Sequence, residues 1–168
     1  MSAKLFSLLA GVLLLTTAYR SSFAQKAFEK SNVLVNGGVV IFDGPLAVAA
    51  SVEYGITDRV GAGIRGYFAR TGNGYNIFNS SVYANYHFTQ RQRLDPFAGL
   101  MLDKTFYTQN DRGVTPSSQT IGLNAQAGVR YFFTQRFGVY VQALLPFRRG
   151  APVRGTSLGG EVGISLKL

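Results

Sequence analysis

The sequence predicts an all-β domain, an eight-stranded antiparallel up-and-down transmembrane β-barrel preceded by a cleavable leader. Three observations predict it. From about residue 32 onward, apolar residues alternate with small or polar ones, the period of a strand rather than a helix. One hexapeptide pattern recurs three times, each copy between two such stretches. And no segment holds the roughly 20 apolar residues that a membrane-spanning helix needs.

The leader comes first. Lys4 supplies a positive n-region, Leu5 to Leu15 (LFSLLAGVLLL) a short apolar h-region, and Ser22-Phe23-Ala24 a small-x-small cleavage site. The expected division is a signal peptide over 1–24 and one barrel domain over 25–168. Without cysteine the exported chain has neither disulfides nor a lipidation site. Loss of Lys4 and Arg20 with the leader leaves 15 basic residues against 8 acidic, a net charge of +7. In an exported protein this favours phosphate-bearing lipid or polysaccharide as partner. No basic run exceeds Arg148-Arg149, so the clustered footprint of a nucleic-acid binder is missing.

The strands follow in order. The first is Asn32 to Phe42. The second alternates Val48, Ala50, Val52 and Tyr54 with Ala49, Ser51 and Glu53. The turn Tyr54-Gly-Ile-Thr-Asp-Arg59 leads into the third, where Val60, Ala62, Ile64 and Phe68 alternate with Gly61, Gly63, Arg65 and Tyr67. The second copy of the hexapeptide, Tyr86-His-Phe-Thr-Gln-Arg91, joins Ser80–Phe88 to Pro96–Leu102. The third, Tyr131-Phe-Phe-Thr-Gln-Arg136, joins Ile121–Phe133 to Val139–Leu145, and Leu158–Leu168 is the eighth strand. The three turns read as one kind of tight connection. They alternate with variable loops at about 43–46, 69–75, 103–118 and 147–157, and short turns at one end with longer loops at the other is the layout of a membrane barrel.

Alternation alone leaves open which face is inside. The polar face is made of Gly, Ser, Asn, Gln and isolated charges, small enough to fill a narrow eight-stranded interior. The apolar face ends in Tyr and Phe at the turns, as an aromatic girdle does. A charge at mid-depth on the lipid face costs about 2–4 kcal/mol, and Glu53, Arg65, Arg130, Glu161 and Lys167 all fall on the polar phase. These five are the candidate lumen charge network, since buried charges need partners.

The exported N-terminus, the Tyr-x-[Ile/Phe]-Thr-[Asp/Gln]-Arg turns, the segment Asp95-Pro-Phe-Ala-Gly-Leu and the final alternating strand resemble the small outer-membrane β-barrel family of Gram-negative bacteria. In size and layout the chain is similar to the eight-stranded OmpX and OmpA transmembrane domains. The resemblance implies a location in the cell outer membrane, both termini in the periplasm, four loops outside, and a last strand read by the barrel insertion machinery. The family's signal usually closes on Phe, where this chain has Leu168. The pattern is shared by many functions and speaks to fold more than to role.

Candidate chemistry is sparse. Gly61-Ala-Gly-Ile-Arg-Gly66 has dinucleotide-site spacing, but it follows a turn and lies within a strand, where the motif's helix N-terminus is missing; the glycines read as interior positions or bends. His87, the one histidine, sits beside a short turn without a recognisable Ser and acid, and reads as an interior residue. Asn79-Ser-Ser is a formal sequon inside a strand. Arg70, Lys104, Arg112, Arg148, Arg149 and Arg154 fall in or beside the long loops as candidate contacts to lipopolysaccharide phosphates, since guanidinium pairs with phosphate in a bidentate way. Arg59, Arg91, Arg93 and Arg136 face headgroups on the other side. No cofactor, metal or catalytic residue is expected. A non-enzymatic structural or surface-contact role leads; a narrow channel, a lipid A-modifying enzyme, a subunit of a larger envelope complex and a soluble barrel binding an apolar ligand stay open.

Overall fold

A computed structural model describes residues 26–41, 46–70, 75–88, 93–109, 117–147 and 159–168; the expected leader lies outside them. Eight antiparallel strands close into one barrel: β1 (Val33–Ile41), β2 (Leu46–Gly55), β3 (Val60–Arg70), β4 (Tyr75–His87), β5 (Leu94–Gln109), β6 (Ser117–Phe132), β7 (Phe137–Pro146) and β8 (Gly159–Lys167). Closure is made by β8 on β1, from Leu34 opposite Lys167 to Ile41 opposite Gly160, while its other edge pairs with β7. The last strand therefore has no free edge within its ladder, which removes the usual site of edge-to-edge aggregation.

The hexapeptide repeat is a turn device. In the first copy Thr57 Oγ1 accepts the N–H groups of Arg59 and Val60, and Ile56 N–H donates to Val60 O. In the third, Thr134 Oγ1 accepts from Arg136 and Phe137, and Phe133 N–H donates to Phe137 O. The threonine hydroxyl thus supplies an acceptor for the last amide of the turn and the first amide of the next strand. The second copy differs. Phe88 N–H bonds to Pro96 O, so this connection is four residues longer than the others, and the expectation of three identical turns is corrected.

The pleat sorts side chains as the period of two requires. Ile41, Val48, Ile64, Val82, Leu100, Ile121, Val141 and Ile164, one from each strand, are all more than half exposed, whereas Asn36, Glu53, Arg65, Ser81, Gln126, Gln142 and Glu161 are buried. A continuous apolar belt with polar groups inside is the inverse of a soluble barrel, and it faces lipid.

The strands at the loop end exceed the expectation. The segment 103–118 was expected to be a loop, yet β5 runs on to Gln109 and β6 starts at Ser117, paired as far as Thr108 opposite Ser117. Sixteen tilted residues rise about 40 Å, beyond an apolar band about 25 Å tall. Above that band neither face must be apolar, so Thr105, Thr108, Ser118 and Thr120 keep the ladder while breaking the alternation that marks a strand in sequence.

Interior glycines pair with large neighbours. A Cβ at Gly63 would lie 2.6 Å from Tyr83 Cζ, at Gly128 2.8 Å from Phe97 Cζ, and at Gly163 2.7 Å from Tyr140 Cε1. Each gives its wall space to a ring from the adjacent strand, so the narrow interior fills without strain.

Candidate functional site

The interior is built in layers from the turn end. Its floor is the chain preceding β1, Lys26–Asn32, folded across the barrel mouth. Phe28 is fully buried with Ala27, Leu34 and Phe132, and its ring stacks on His87 with centroids 3.5 Å apart and planes 6° from parallel. Ser31 turns the strap at φ 69°, its N–H donating to Gly55 O at 2.8 Å, and Gly55 N–H donates to Asn32 O at 2.9 Å. Lys30 N–H donates to Asp58 Oδ1 at 3.1 Å. Lys167 Nζ donates to Lys26 O at 2.8 Å.

Above the floor lies a ring of four buried ionisable groups. Asp95, second residue of β5, stands directly opposite Arg130 of β6, and Arg130 Nη1 donates to Asp95 Oδ2 at 2.8 Å. Arg130 Nη2 donates to Glu53 Oε2 at 3.2 Å, and its guanidinium lies 4.9 Å over Phe97. His87, at the end of β4, places Nε2 2.9 Å from Glu53 Oε1 and Nδ1 2.8 Å from Asp95 Oδ1. Both ring nitrogens face acceptors, so both bonds form together when the ring carries both N–H protons. Two cations then balance two carboxylates. Glu53 reaches β4 from β2 because Gly61 on the intervening β3 has no side chain in the way: a Cβ there would lie 3.0 Å from Glu53 Cδ.

A second cluster sits higher. Arg65 of β3 donates to Glu161 Oε2 of β8 through Nη2 at 2.6 Å and Nε at 3.1 Å, bridging strands that do not pair. Tyr140 O–H donates to Glu161 Oε1 at 2.5 Å, and Gln142 Nε2 to Oε2 at 2.7 Å. Between the clusters is a cavity of about 10 Å³, lined among others by Glu53, Arg65, Asn85, Arg130 and Tyr140, room for about one water. Towards the loop end, Val40, Ala47, Ala49, Ala69, Tyr83, Met101 and Leu144 form an apolar layer. Beside it Asp103 accepts from Asn79, Thr105 and Asn124. Among the described residues, no group of three His, Asp or Glu side chains is arranged to hold a metal.

Of the sequence-predicted network, the structure brings Arg65 to Glu161 and Glu53 to Arg130, although Glu53 and Arg65 stand on adjacent strands. Lys167 is apart from it: half-buried at the turn end, 5.7 Å from the Phe132 ring, it forms no ion pair among the described residues. A four-carbon stem on the last residue of β8 reaches the mouth more readily than the clusters above. Two members of the ring escaped sequence reasoning. Asp95 shares the inward phase of Phe97, which the outward Ala98, Leu100 and Leu102 fix, and that phase was the available signal. His87 was read as interior but without partners. Arg70 is exposed at the end of β3, and Lys104 projects from the outer face of β5 with Nζ 5.0 Å over Phe106. Arg112, Arg148, Arg149 and Arg154 lie outside the described residues.

The sequence matches no family model and no curated protein. Solved structures do match. The N-terminal β-barrel domain of Pseudomonas aeruginosa OprF superposes with a TM-score of 0.67 at 18% identity, covering 83% of this chain and 98% of that one. Neisserial surface protein A gives 0.61 at 14% identity, over 82% of this chain and 94% of that one. Ail, the attachment invasion locus protein of Yersinia pestis, gives 0.54 at 13% identity, over 83% and 99%. The chain has the closed eight-stranded fold of the small bacterial outer-membrane barrels.

Proposed function

We propose that the chain is exported, processed before Gln25 and inserted in the outer membrane with both termini in the periplasm. There it serves without enzymatic activity as a closed structural barrel that contacts membrane lipid and the cell surface. The observation that carries this reading is the filled lumen, with the strap, two ionic clusters and an apolar layer in series and a cavity of only about 10 Å³ between the two clusters. His87 supports it, because both ring nitrogens are held by carboxylates beneath Phe28 rather than offered to a hydroxyl nucleophile.

Surface contact is assigned to lipopolysaccharide phosphates through Arg70 and Lys104. These flank the row Phe68–Phe78–Phe106, which marks the outer headgroup level. Arg112, Arg148, Arg149 and Arg154, expected from the sequence in the long loops, are assigned the same class of contact. Ail has been solved with the heparin analogue sucrose octasulfate, a polyanion, in keeping with this class of partner. Insertion is assigned to recognition of the last strand by the barrel insertion machinery.

The test is conductance of the purified protein in planar bilayers, which is expected to show no steps above the protein-free baseline; reproducible steps would replace this reading with the narrow channel. For the lipid contact, lipopolysaccharide in the vesicles should raise the unfolding temperature of the wild type more than that of a Lys104→Glu, Arg70→Glu variant. Equal shifts would remove that assignment.

A further inference from the structure

We propose that Lys26–Asn32 is a removable plug, an internal stopper whose departure opens the turn-end half of the lumen to water while the barrel stays closed. The proposal adds to the closed lumen a reversible closure at one end.

The strap is separable because it belongs to no ladder. β1 begins at Val33 and pairs with β2 and β8 along its length, so loss of the strap breaks no strand pairing. Its polar contacts are confined to the mouth: main-chain bonds at Gly55, the Lys30 N–H on Asp58, Lys167 on the Lys26 carbonyl, and an exposed Lys26–Asp58 pair at 3.6 Å. Exposed pairs of this sort add little, so the buried Phe28 and Ala27 side chains are the main hold, and a short segment outside every ladder opens locally before the strands do. Ser31, the one non-glycine residue of positive φ among the described residues, is held in a conformation that L-residues avoid, which favours release.

What the plug covers is equally specific. Phe28 fills a slot bounded by Leu34, His87 and Phe132, and its ring is the lid on the Glu53–His87–Asp95–Arg130 ring. Gly55 is the seat, since a Cβ there would run into the Glu29 carbonyl. With the strap gone, the slot and the ionic ring face water at the turn end, while the Arg65–Glu161 cluster and the apolar layer still block the far end. The plug therefore governs access to the ionic ring without making a through-channel.

The chain has no cysteine, so Leu34→Cys puts a single thiol beneath the plug. The full mature chain, folded in detergent micelles, is treated with a small water-soluble methanethiosulfonate, and folding is checked by heat-dependent electrophoretic mobility. Labelling in the Leu34→Cys background should be slow but measurable. Adding Phe28→Ala should speed it about 30-fold, as a local opening that no longer has to expose a phenyl side chain would. Adding Asp58→Ala instead, outside the barrel wall and with Phe28 in place, should speed it about threefold through loss of weak exposed contacts. Equal rates in all three backgrounds overturn the proposal: if slow, the lumen is sealed without the strap; if fast, the strap covers nothing. No labelling of Leu34→Cys before the protein unfolds also overturns it, since the plug is then fixed. Should Phe28→Ala fail to fold, the Asp58→Ala comparison decides.

Discussion

Arg130→Met removes the centre of the lower ionic ring while keeping an unbranched apolar side chain in place of the arginine stem. In the wild type the guanidinium meets Asp95 at 2.8 Å and Glu53 at 3.2 Å, with the side chains almost wholly excluded from solvent. At a charge separation of about 4 Å and an effective dielectric near 20, each attraction is worth about 4 kcal/mol. Desolvation of the guanidinium offsets part of that, and removal of one partner from a buried ion pair typically costs about 3–5 kcal/mol. The substitution leaves two carboxylates with one imidazole between them, an excess of buried negative charge. Urea unfolding of the protein in phospholipid vesicles should therefore show a loss of about 3–5 kcal/mol, a large share of a typical stability of about 5–15 kcal/mol. Lys26→Ala, on the exposed Asp58 pair, should leave the unfolding midpoint nearly unchanged. Adding Glu53→Gln to Arg130→Met should recover part of the loss, with a coupling of about 1 kcal/mol or more between the two positions. A loss below about 1 kcal/mol for Arg130→Met would mean that water screens the ring, and the closed lumen would have to be abandoned.

Two further outcomes follow from local geometry. Gly128→Ala, which pushes a methyl towards Phe97 and Gln142, should destabilise by about 1–3 kcal/mol, whereas Gly37→Ala, with nothing within 4 Å of the new carbon, should change stability by no more than about 0.5 kcal/mol; similar values from the same urea titrations would refute the ring-for-glycine packing. At the strap, the hydrogen bond from Lys30 N–H, and next the Lys26 charge, hold the Asp58 carboxyl below its ordinary 3.8. Because the folded value is the lower one, the contact is fully present above the unfolded value and is lost as pH falls through the folded value. The Lys30 amide resonance should accordingly titrate with a midpoint below 3.8 and lose that transition in Asp58→Asn; a midpoint at or above 3.8 would show that the strap is not docked there.

Where burial forces the pleat, the fold was legible. Val48, Val52 and Tyr54 against Ala49, Ser51 and Glu53 state the phase of β2 outright, because one face must suit lipid and the other a narrow interior. The same pressure made Glu53, Arg65, Arg130 and Glu161 recognisable as interior charges. It fades at both ends of the barrel. Beyond Leu102 the strand leaves the apolar band, and Thr105 and Thr108 satisfy the ladder without alternating. Before β1 the strap has no period at all, since Phe28 is placed by the cavity it fills and not by its neighbours in sequence. Partner choice was hidden for another reason. Side chains four to six atoms long cross the narrow interior, so Arg65 reaches past β2 and β1 to Glu161, and Glu53 takes the path that Gly61 opens.

That geometry explains why a small barrel accepts ionic groups inside at all. Eight strands leave too little width for aliphatic residues on every inward position, and small residues alone would leave voids that cost dispersion contacts. The chain combines the two, with Gly61, Gly63, Gly128 and Gly163 each ceding space to one large side chain from another strand. Glu53, placed over Gly61, spans the interior, and its charge is tolerable only when an opposite charge meets it there. Two of the ionic contacts consequently tie strands distant in the sheet: β2 to β6 through Glu53 and Arg130, β3 to β8 through Arg65 and Glu161. Ladder hydrogen bonds connect only neighbours. These cross-ties fix the far walls relative to one another, and they do so in the space where a channel would otherwise run.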